Sequence, residues 1–321
     1  MRWLVTGGCG FIGANLIADL RAAGGHQVRV LDDGSAGADS LRACGVDPGR
    51  LDLRVADVRD DRAVGEAARG IDVIAHLAGA TGVVGSLADP RGDASANVLG
   101  TLNVLEAARR TGARVVFVST TVPLVGDAPE IDERTLPAPR VPYGASKLAA
   151  EGYCQAYAAS FGVASCVLRL TNVYGRGSAH KTGAVGRFLA DGLAGRPLTI
   201  TGDGRQTRDF LHVADVVRAL RLVAVHPAAP GGTFQIATGR PTAIIDLARD
   251  VQELLRRASR PVPSLVNLPA RPAEVRATHA SPAKAAALIG WQAEVGLAAG
   301  LARTFAELTR EMAASRGVQT T

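Results

Sequence analysis

Arg2-Trp3-Leu4-Val5-Thr6-Gly7-Gly8-Cys9-Gly10-Phe11-Ile12-Gly13 is the stretch whose reading decides the fold. Arg2 to Thr6 is a short apolar run of the kind that forms a buried strand, and Phe11 to Ala23 has the apolar spacing of an amphipathic helix. Between them, a Gly-x-x-Gly-x-x-Gly turn lets the backbone approach a pyrophosphate, and the helix start offers free N–H groups and a positive dipole end. The glycine spacing alone is weak: 37 glycines in 321 residues produce roughly half such a match by chance, so context decides. Asp32 supplies that context, closing the next apolar run, Gln27-Val28-Arg29-Val30-Leu31, about 20 residues past the last glycine. A carboxylate there suits the ribose hydroxyls of adenosine and repels an additional 2′-phosphate, so the pattern predicts NAD rather than NADP.

Working outward, 321 residues are enough for one large α/β unit or two closely joined lobes. No 18-residue uncharged apolar run is present, and the first strand begins at residue 2, which leaves no room for a signal peptide. The expected location is cytoplasmic, with no membrane partner. Cys9, Cys44, Cys154 and Cys166 lack the spacing of a disulfide framework or zinc site; they read as buried packing groups, and no metal is expected. The net charge of +6 comes almost wholly from arginine, with lysine only at Lys147, Lys181 and Lys284. Without a run of like charge or interleaved basic and aromatic residues, nucleic acid is not an expected partner. One basic stretch, Arg169, Arg176, His180, Lys181, Arg187, Arg196, Arg205 and Arg208, suits a phosphorylated small molecule.

Strand-like runs recur at 2–6, 27–31, 51–55, 71–77, 113–118 and 163–168, with helical patterns at 95–110 and 143–161. Short buried strands alternating with helices predict α/β architecture: a doubly wound parallel sheet of Rossmann type, with ligands beyond the carboxyl ends of the strands. After about residue 170 the rhythm changes to shorter helices (184–194, 212–224, 244–257, 297–313) and a stretch punctuated by Pro261, Pro263, Pro269 and Pro272. This predicts an NAD-binding domain over 1–168, to which segments around 209–238 return, and a smaller C-terminal lobe over most of 169–321 that closes on substrate. Ser315 to Thr321 reads as a frayed tail.

Tyr143-Gly-Ala-Ser-Lys147 opens a helix after Pro142, and the i, i+4 spacing puts phenol and ammonium on one face. A free tyrosine has a pKa of about 10; a lysine one turn away and a cationic oxidised nicotinamide can favour the phenolate enough for base catalysis. Upstream, Ala113 to Thr121 reads as a strand ending in hydroxyls. Thr121 is the expected catalytic hydroxyl, with Ser119 and Thr120 nearer the cofactor.

These residues resemble the extended short-chain dehydrogenase/reductase family, specifically its nucleotide-sugar epimerases and dehydratases. The resemblance also rests on Asp57-Val58, His76-Leu-Ala-Gly79, Asn97-Val-Leu-Gly-Thr101, Arg169-Leu-Thr-Asn172-Val-Tyr-Gly175, Gly202-Asp-Gly-Arg-Gln-Thr-Arg208-Asp and Arg271-Pro-Ala-Glu274. It implies that Gly7, Gly10, Phe11, Ile12, Gly13, Asp32, Asn97, Ser119, Tyr143 and Lys147 hold NAD, that Asp57 and Val58 hold its adenine, and that Leu77, Ala78 and Gly79 line it. Thr81 would face substrate, while Asn172, Arg208 and Arg271 would take its diphosphate and Glu274 its ribose. Ala184, Val185, Thr199 and Phe210 would surround the base, and a homodimer would form through helices 95–110 and 143–161.

The resemblance further implies oxidation of a nucleotide-linked sugar at C4, most simply a UDP-sugar, with Tyr143 as base. Dehydratases that act at C4 and C6 carry Thr-Asp-Glu at the strand end, where this chain has Thr121-Val122-Pro123, and Leu124-Val125-Gly126 replaces the usual Val-Tyr-Gly. The departures are similar to those of the UDP-N-acetylglucosamine 5,6-dehydratases of tunicamycin-type antibiotic pathways. A UDP-hexose 4-epimerase is the alternative, and a non-catalytic NAD-sensing module of the same fold is the alternative of another class.

Overall fold

The computed structural model describes residues 1–126, 128, 130–178, 183–270 and 279–317, with backbone alone for 314–317. Strand and helix alternate through β1 (Arg2–Thr6), α1 (Phe11–Ala23), β2 (Gln27–Asp32), α2 (Asp39–Ala43), β3 (Asp52–Val55), α3 (Asp61–Ala67) and β4 (Val73–His76). Next come α4 (Val83–Ala88), α5 (Pro90–Ala94), α6 (Gly100–Thr111), β5 (Arg114–Thr120), α7 (Val122–Val125), β6 (Glu130–Ile131), α8 (Pro142–Phe161) and β7 (Ser165–Leu170). The second half holds β8 (Asn172–Tyr174), α9 (Ala184–Leu193), β9 (Leu198–Thr201), β10 (Thr207–His212), α10 (Val213–Val225) and β11 (Thr233–Ile236). It ends with β12 (Pro241–Ala243), α11 (Ile244–Arg257), β13 (Leu265–Leu268), β14 (His279–Ala280), α12 (Ala283–Ile289) and α13 (Leu297–Gly317).

Seven strands form one sheet in the order β11-β7-β5-β4-β1-β2-β3, every pairing parallel. β4 and β7 are buried at every residue, as expected where helices cover both faces of a parallel sheet. The pleat deals β1 to two cores. Trp3 and Val5 join Leu16, Ile17 and Leu220 of α1 and α10, while Leu4 joins Val104, Leu105, Ala150 and Cys154 of α6 and α8. Strand order reverses between β1 and β4, and a cleft opens there beyond the carboxyl ends.

The chain then leaves the sheet and comes back. β8, β10 and β12 form a small sheet and β9 pairs with β13, around a separate core of Phe188, Leu189, Leu198, Ile200, Leu247, Val251 and Leu255. Meanwhile α10 packs on α1, and β11 takes the edge of the main sheet beside β7.

Three features differ from the sequence expectation. Residues 95–110 belong to a longer helical run starting at Pro90, with a wide π turn at Ser95–Leu99. The proline-punctuated stretch contains β13, whose exposed residues left no apolar alternation to read, and helical backbone extends to Gly317 inside the expected tail. The four cysteines are buried and unpaired. Among the described residues no helix is long and apolar enough to cross a membrane, and no group of three or more His, Cys, Asp or Glu is placed to hold a metal.

Candidate active site

The turn after β1 packs so closely that Gly7 and Gly13 leave no room for a Cβ. Gly7 has φ +68°, and a Cβ there would sit 2.6 Å from the Ala78 nitrogen in the loop after β4. A Cβ on Gly13 would meet the Gly7 carbonyl oxygen at 2.5 Å, so the first turn of α1 lies directly on the loop. Helix α1 starts without a side-chain cap and without an acid in its first turn, which leaves its leading N–H groups to an anion. Asp32, 6% exposed at the end of β2, accepts hydrogen bonds from the Cys9 and Gly34 nitrogens at 2.9 Å each. The Cys9 bond ties the carboxylate to the glycine turn.

The cleft holds about 470 Å³. At one end stand Asp32, Asp57, Val58 and Arg59; Leu77, Ala78 and Gly79 form the middle; Thr81, Ser119, Thr120, Tyr143 and Lys147 line the other end. Arg59 grips Asp57 in a bidentate ion pair, and that bond holds the Asp57 carboxyl below the usual carboxylate range. Ser119 Oγ and Asn97 Oδ1 are buried without a protein partner. A glycine cradle that no Cβ could enter, together with two unspent polar atoms, fits an extended dinucleotide.

Helix α8 brings Tyr143 and Lys147 to the far end. Its start lies hard against α7: a Cβ on Gly144 would be 1.8 Å from the Pro123 carbonyl oxygen. Lys147 is 6% exposed, donates to the Val118 carbonyl at 2.9 Å and stands 4.5 Å from the Phe117 ring centroid. Burial lowers its pKa to about 8. Burial raises Tyr143 to about 12, opposed by a hydrogen bond with the Thr120 hydroxyl. Thr120 is therefore the strand-end hydroxyl beside the phenol. Thr121, the residue expected from sequence, turns away: it is 1% exposed and donates to Gln235 Oε1 on β11 at 2.9 Å.

Beneath the cleft runs a polar chain that sequence reasoning did not assemble. Thr6 Oγ1 accepts from the Leu77 and Ala78 nitrogens, 3.2 Å each, so its proton goes to His76 Nδ1 at 2.8 Å. His76 Nε2 then donates to Thr101 Oγ1 at 3.1 Å, and Thr101 donates to the Asn97 carbonyl at 2.6 Å. Burial, with the Lys147 charge adding to it, lowers His76 to about 3, so the ring stays neutral. The Asn97 side chain continues the chain, donating to Asp93 Oδ1 at 3.2 Å and to Ser146 Oγ on α8 at 3.0 Å. The signals were in the sequence: His76 opens the motif His76-Leu-Ala-Gly79, and Ser146 lies inside the Tyr–Lys spacing. Their partners are remote in the chain.

The expected substrate residues gather only in part. Phe210 and Asn172 are register partners on β10 and β8, and Asn172 Nδ2 donates to the Asp209 carbonyl at 3.3 Å. Ala184 and Val185 open α9; Val185 and Phe210 are buried in the core of the second lobe. Thr199 on β9 accepts from Arg187 through its carbonyl at 2.9 Å, and Arg208 donates to the Thr207 carbonyl at 2.8 Å. Arg271 and Glu274 lie outside the described residues.

A parallel sheet that offers a dinucleotide cradle at its switch point, with a buried phenol and ammonium at the cradle's far end, defines an oxidoreductase-type NAD enzyme. Residues 3–237 match the model of the NAD dependent epimerase/dehydratase family, and the chain belongs to that family. It is 36% identical to a UDP-glucose 4-epimerase of Mycolicibacterium smegmatis, over 95% of this chain and 97% of that one. Among solved structures, the Thermotoga maritima UDP-glucose 4-epimerase with UDP-glucose superposes with a TM-score of 0.88 at 30% identity, covering 97% of this chain and 100% of that one. DesIV, a dTDP-glucose 4,6-dehydratase from Streptomyces venezuelae, has a TM-score of 0.86 at 29% identity, covering 98% of each chain. The cofactor is NAD, and the protein is an enzyme of the epimerase or dehydratase kind.

Proposed function

We propose that the chain oxidises a UDP-linked hexose or hexosamine at C4 and later reduces the same carbon, so that each turnover restores its cofactor. The observation that carries this reading is the meeting of Tyr143, Lys147 and Thr120 at one end of the cleft. NAD, when bound, supplies the hydride acceptor and a positive charge that favours the phenolate. Tyr143 takes the proton of the C4 hydroxyl, Thr120 steadies the phenolate by its hydrogen bond, and Lys147 adds a cation one turn away. Arg208, from the second lobe, is assigned to the diphosphate.

Of the outcomes open to a 4-keto sugar, we favour loss of water. The helix after β5 offers Val122, Pro123, Leu124 and Val125, none of them an acid or base. The acid and base that serve removal of the C6 hydroxyl in 4,6-dehydratases are missing, and so is the tyrosine of Val-Tyr-Gly, replaced by Val125 at 4% exposure. That departure supports a UDP-N-acetylglucosamine 5,6-dehydratase of an antibiotic pathway. The C4 ketone acidifies C5–H; the C5–H electron pair forms a C5=C6 bond as the C6 hydroxyl leaves with the C5 proton as water; hydride then returns to C4 and Tyr143 gives its proton back to the C4 oxygen. UDP-hexose 4-epimerisation is the second reading, supported by 36% identity to an epimerase and by needing no base beyond Tyr143. A homodimer through α6 and α8 belongs to the same proposal; Leu99, Tyr153 and Phe161 are exposed on or beside these helices.

The mass of product formed from UDP-N-acetylglucosamine decides. Dehydration gives a product lighter by one water without accumulation of NADH. An isomer of unchanged mass decides for the epimerase, and no change with either UDP-N-acetylglucosamine or UDP-glucose removes both.

A further inference from the structure

We propose that Asp93 is a positioning residue of the catalytic centre: its buried carboxylate orients the Asn97 amide, fixes Ser146 on the catalytic helix, and supplies a negative charge near Lys147. Asp93 lies on α5, is 3% exposed, and plays no part in the chemistry derived above. Its hydrogen-bond partners are neutral: Ser146 Oγ donates to Oδ2 at 2.5 Å, and Asn97 Nδ2 donates to Oδ1 at 3.2 Å. Among the described residues it makes no ion pair, and a buried carboxylate without a cation costs stability.

The geometry shows what the carboxylate does. Both N–H groups of the Asn97 amide are spent, one on Asp93 and one on Ser146. Its Oδ1 is thereby turned toward the cleft loop. A Cβ on Gly79 would sit 2.3 Å from that oxygen and 4.0 Å from Lys147 Nζ, and Oδ1 itself has no protein partner. Ser146 Oγ accepts from Asn97, and its single proton has two acceptors within reach, Asp93 Oδ2 at 2.5 Å and the Tyr143 carbonyl at 3.1 Å; the shorter, charge-assisted bond goes to Asp93 and keys the helix segment between Tyr143 and Lys147 to that carboxylate. An acceptor at residue 93 suits this arrangement, because a donor there would face the Asn97 amide and leave the Ser146 proton to the Tyr143 carbonyl.

The charge has a second use. Lys147 is influenced by Cys154 and Glu151 on its own helix, the latter ion-paired with Arg169 of β7, and by Asp93 on α5, with Tyr143 one turn back. Asp93 and Glu151 favour its ammonium against burial.

The test measures NAD affinity against pH, together with turnover, in wild type, Asp93→Asn, Asp93→Ala and Ser146→Ala. The NAD measurement rests on Lys147 as a cofactor ligand and is independent of the sugar. In the wild type, affinity should weaken above about pH 8 as Lys147 loses its proton. In Asp93→Asn the weakening should begin at least about half a pH unit lower, and kcat should fall about 10-fold with KM within about 2-fold. Asp93→Ala should also weaken NAD binding about 10-fold, since Asn97 is released. Ser146→Ala keeps the charge and should lower kcat without moving the pH limb, which separates orientation from charge and remains informative should Asp93 variants fail to fold. An unmoved limb and unchanged kcat in Asp93→Asn, or wild-type kcat in Ser146→Ala, would overturn the proposal. If the wild type binds NAD yet turns over neither UDP-sugar, the sugar reading fails alone.

Discussion

At Tyr143, burial and hydrogen bonding pull in opposite directions. Burial drives the phenol toward about 12, and the Thr120 hydroxyl pulls it back. The protein by itself thus keeps Tyr143 protonated at neutral pH even with Lys147 one turn away, so the base would be made only with the positive charge of bound NAD added beside it. Removing the phenolic oxygen costs little volume. Tyr143→Phe is expected to retain its fold and bound NAD while turnover falls at least about 100-fold, read by product formation and by NAD released on acid denaturation. Thr120→Val should lower turnover more than Thr121→Val, whose hydroxyl is spent on Gln235. A larger loss in Thr121→Val would return the catalytic hydroxyl to Thr121, and equal losses would remove the distinction. The Tyr–Lys pair was legible because one helical turn is enough to join its members. Which of Ser119, Thr120 and Thr121 meets the phenol was not, because twist at the end of β5 and packing against β11 set those directions.

At the scale of elements, the chain from Thr6 through His76 and Thr101 to Asn97 joins β1, β4 and the wide turn before α6. It works only with His76 neutral, donating from Nε2. Unfolded histidine titrates near its ordinary 6.5, whereas burial holds folded His76 to about 3. Between those values the unfolded state binds more protons, so stability is fully present above pH 6.5 and is lost as pH falls toward 3. From this group alone the slope reaches at most about 1.4 kcal/mol per pH unit. Urea unfolding at pH 5 and pH 7 should show a shallower pH dependence in His76→Asn than in wild type; parallel dependences would show that His76 does not titrate this way. The helices and buried strands around this chain were readable from apolar periodicity. β13 was not, because a strand exposed along most of its length carries no such signal. The wide turn at Ser95–Leu99 was hidden as well, since its residues keep the helical pattern while the hydrogen bonding changes.

Across the whole molecule, the sheet holds the cofactor cradle and the second lobe brings Arg208 on β10, a strand that leads through α10 back to the sheet. Arg208→Ala is expected to weaken UDP binding by about 2 kcal/mol through loss of charge-assisted bonds, with NAD affinity nearly unchanged, both read by calorimetry. Unaltered UDP affinity would remove Arg208 from the substrate site. The sequence by itself determined the glycine cradle, the carboxylate of Asp32, the Tyr143–Lys147 pair and the alternating α/β plan. Each of these depends on spacings within one turn, one strand or one βαβ unit, where backbone geometry alone brings the groups together. Tertiary structure alone decided that Asp93 meets Ser146 across 53 residues and that Thr121 is claimed by Gln235 across 114; the return of the chain around 209–238 was read from the sequence, but not that β11 takes the edge beside β7. Those pairings follow from how helices and strands pack against one another, and packing leaves no local period in the chain for a reader to find.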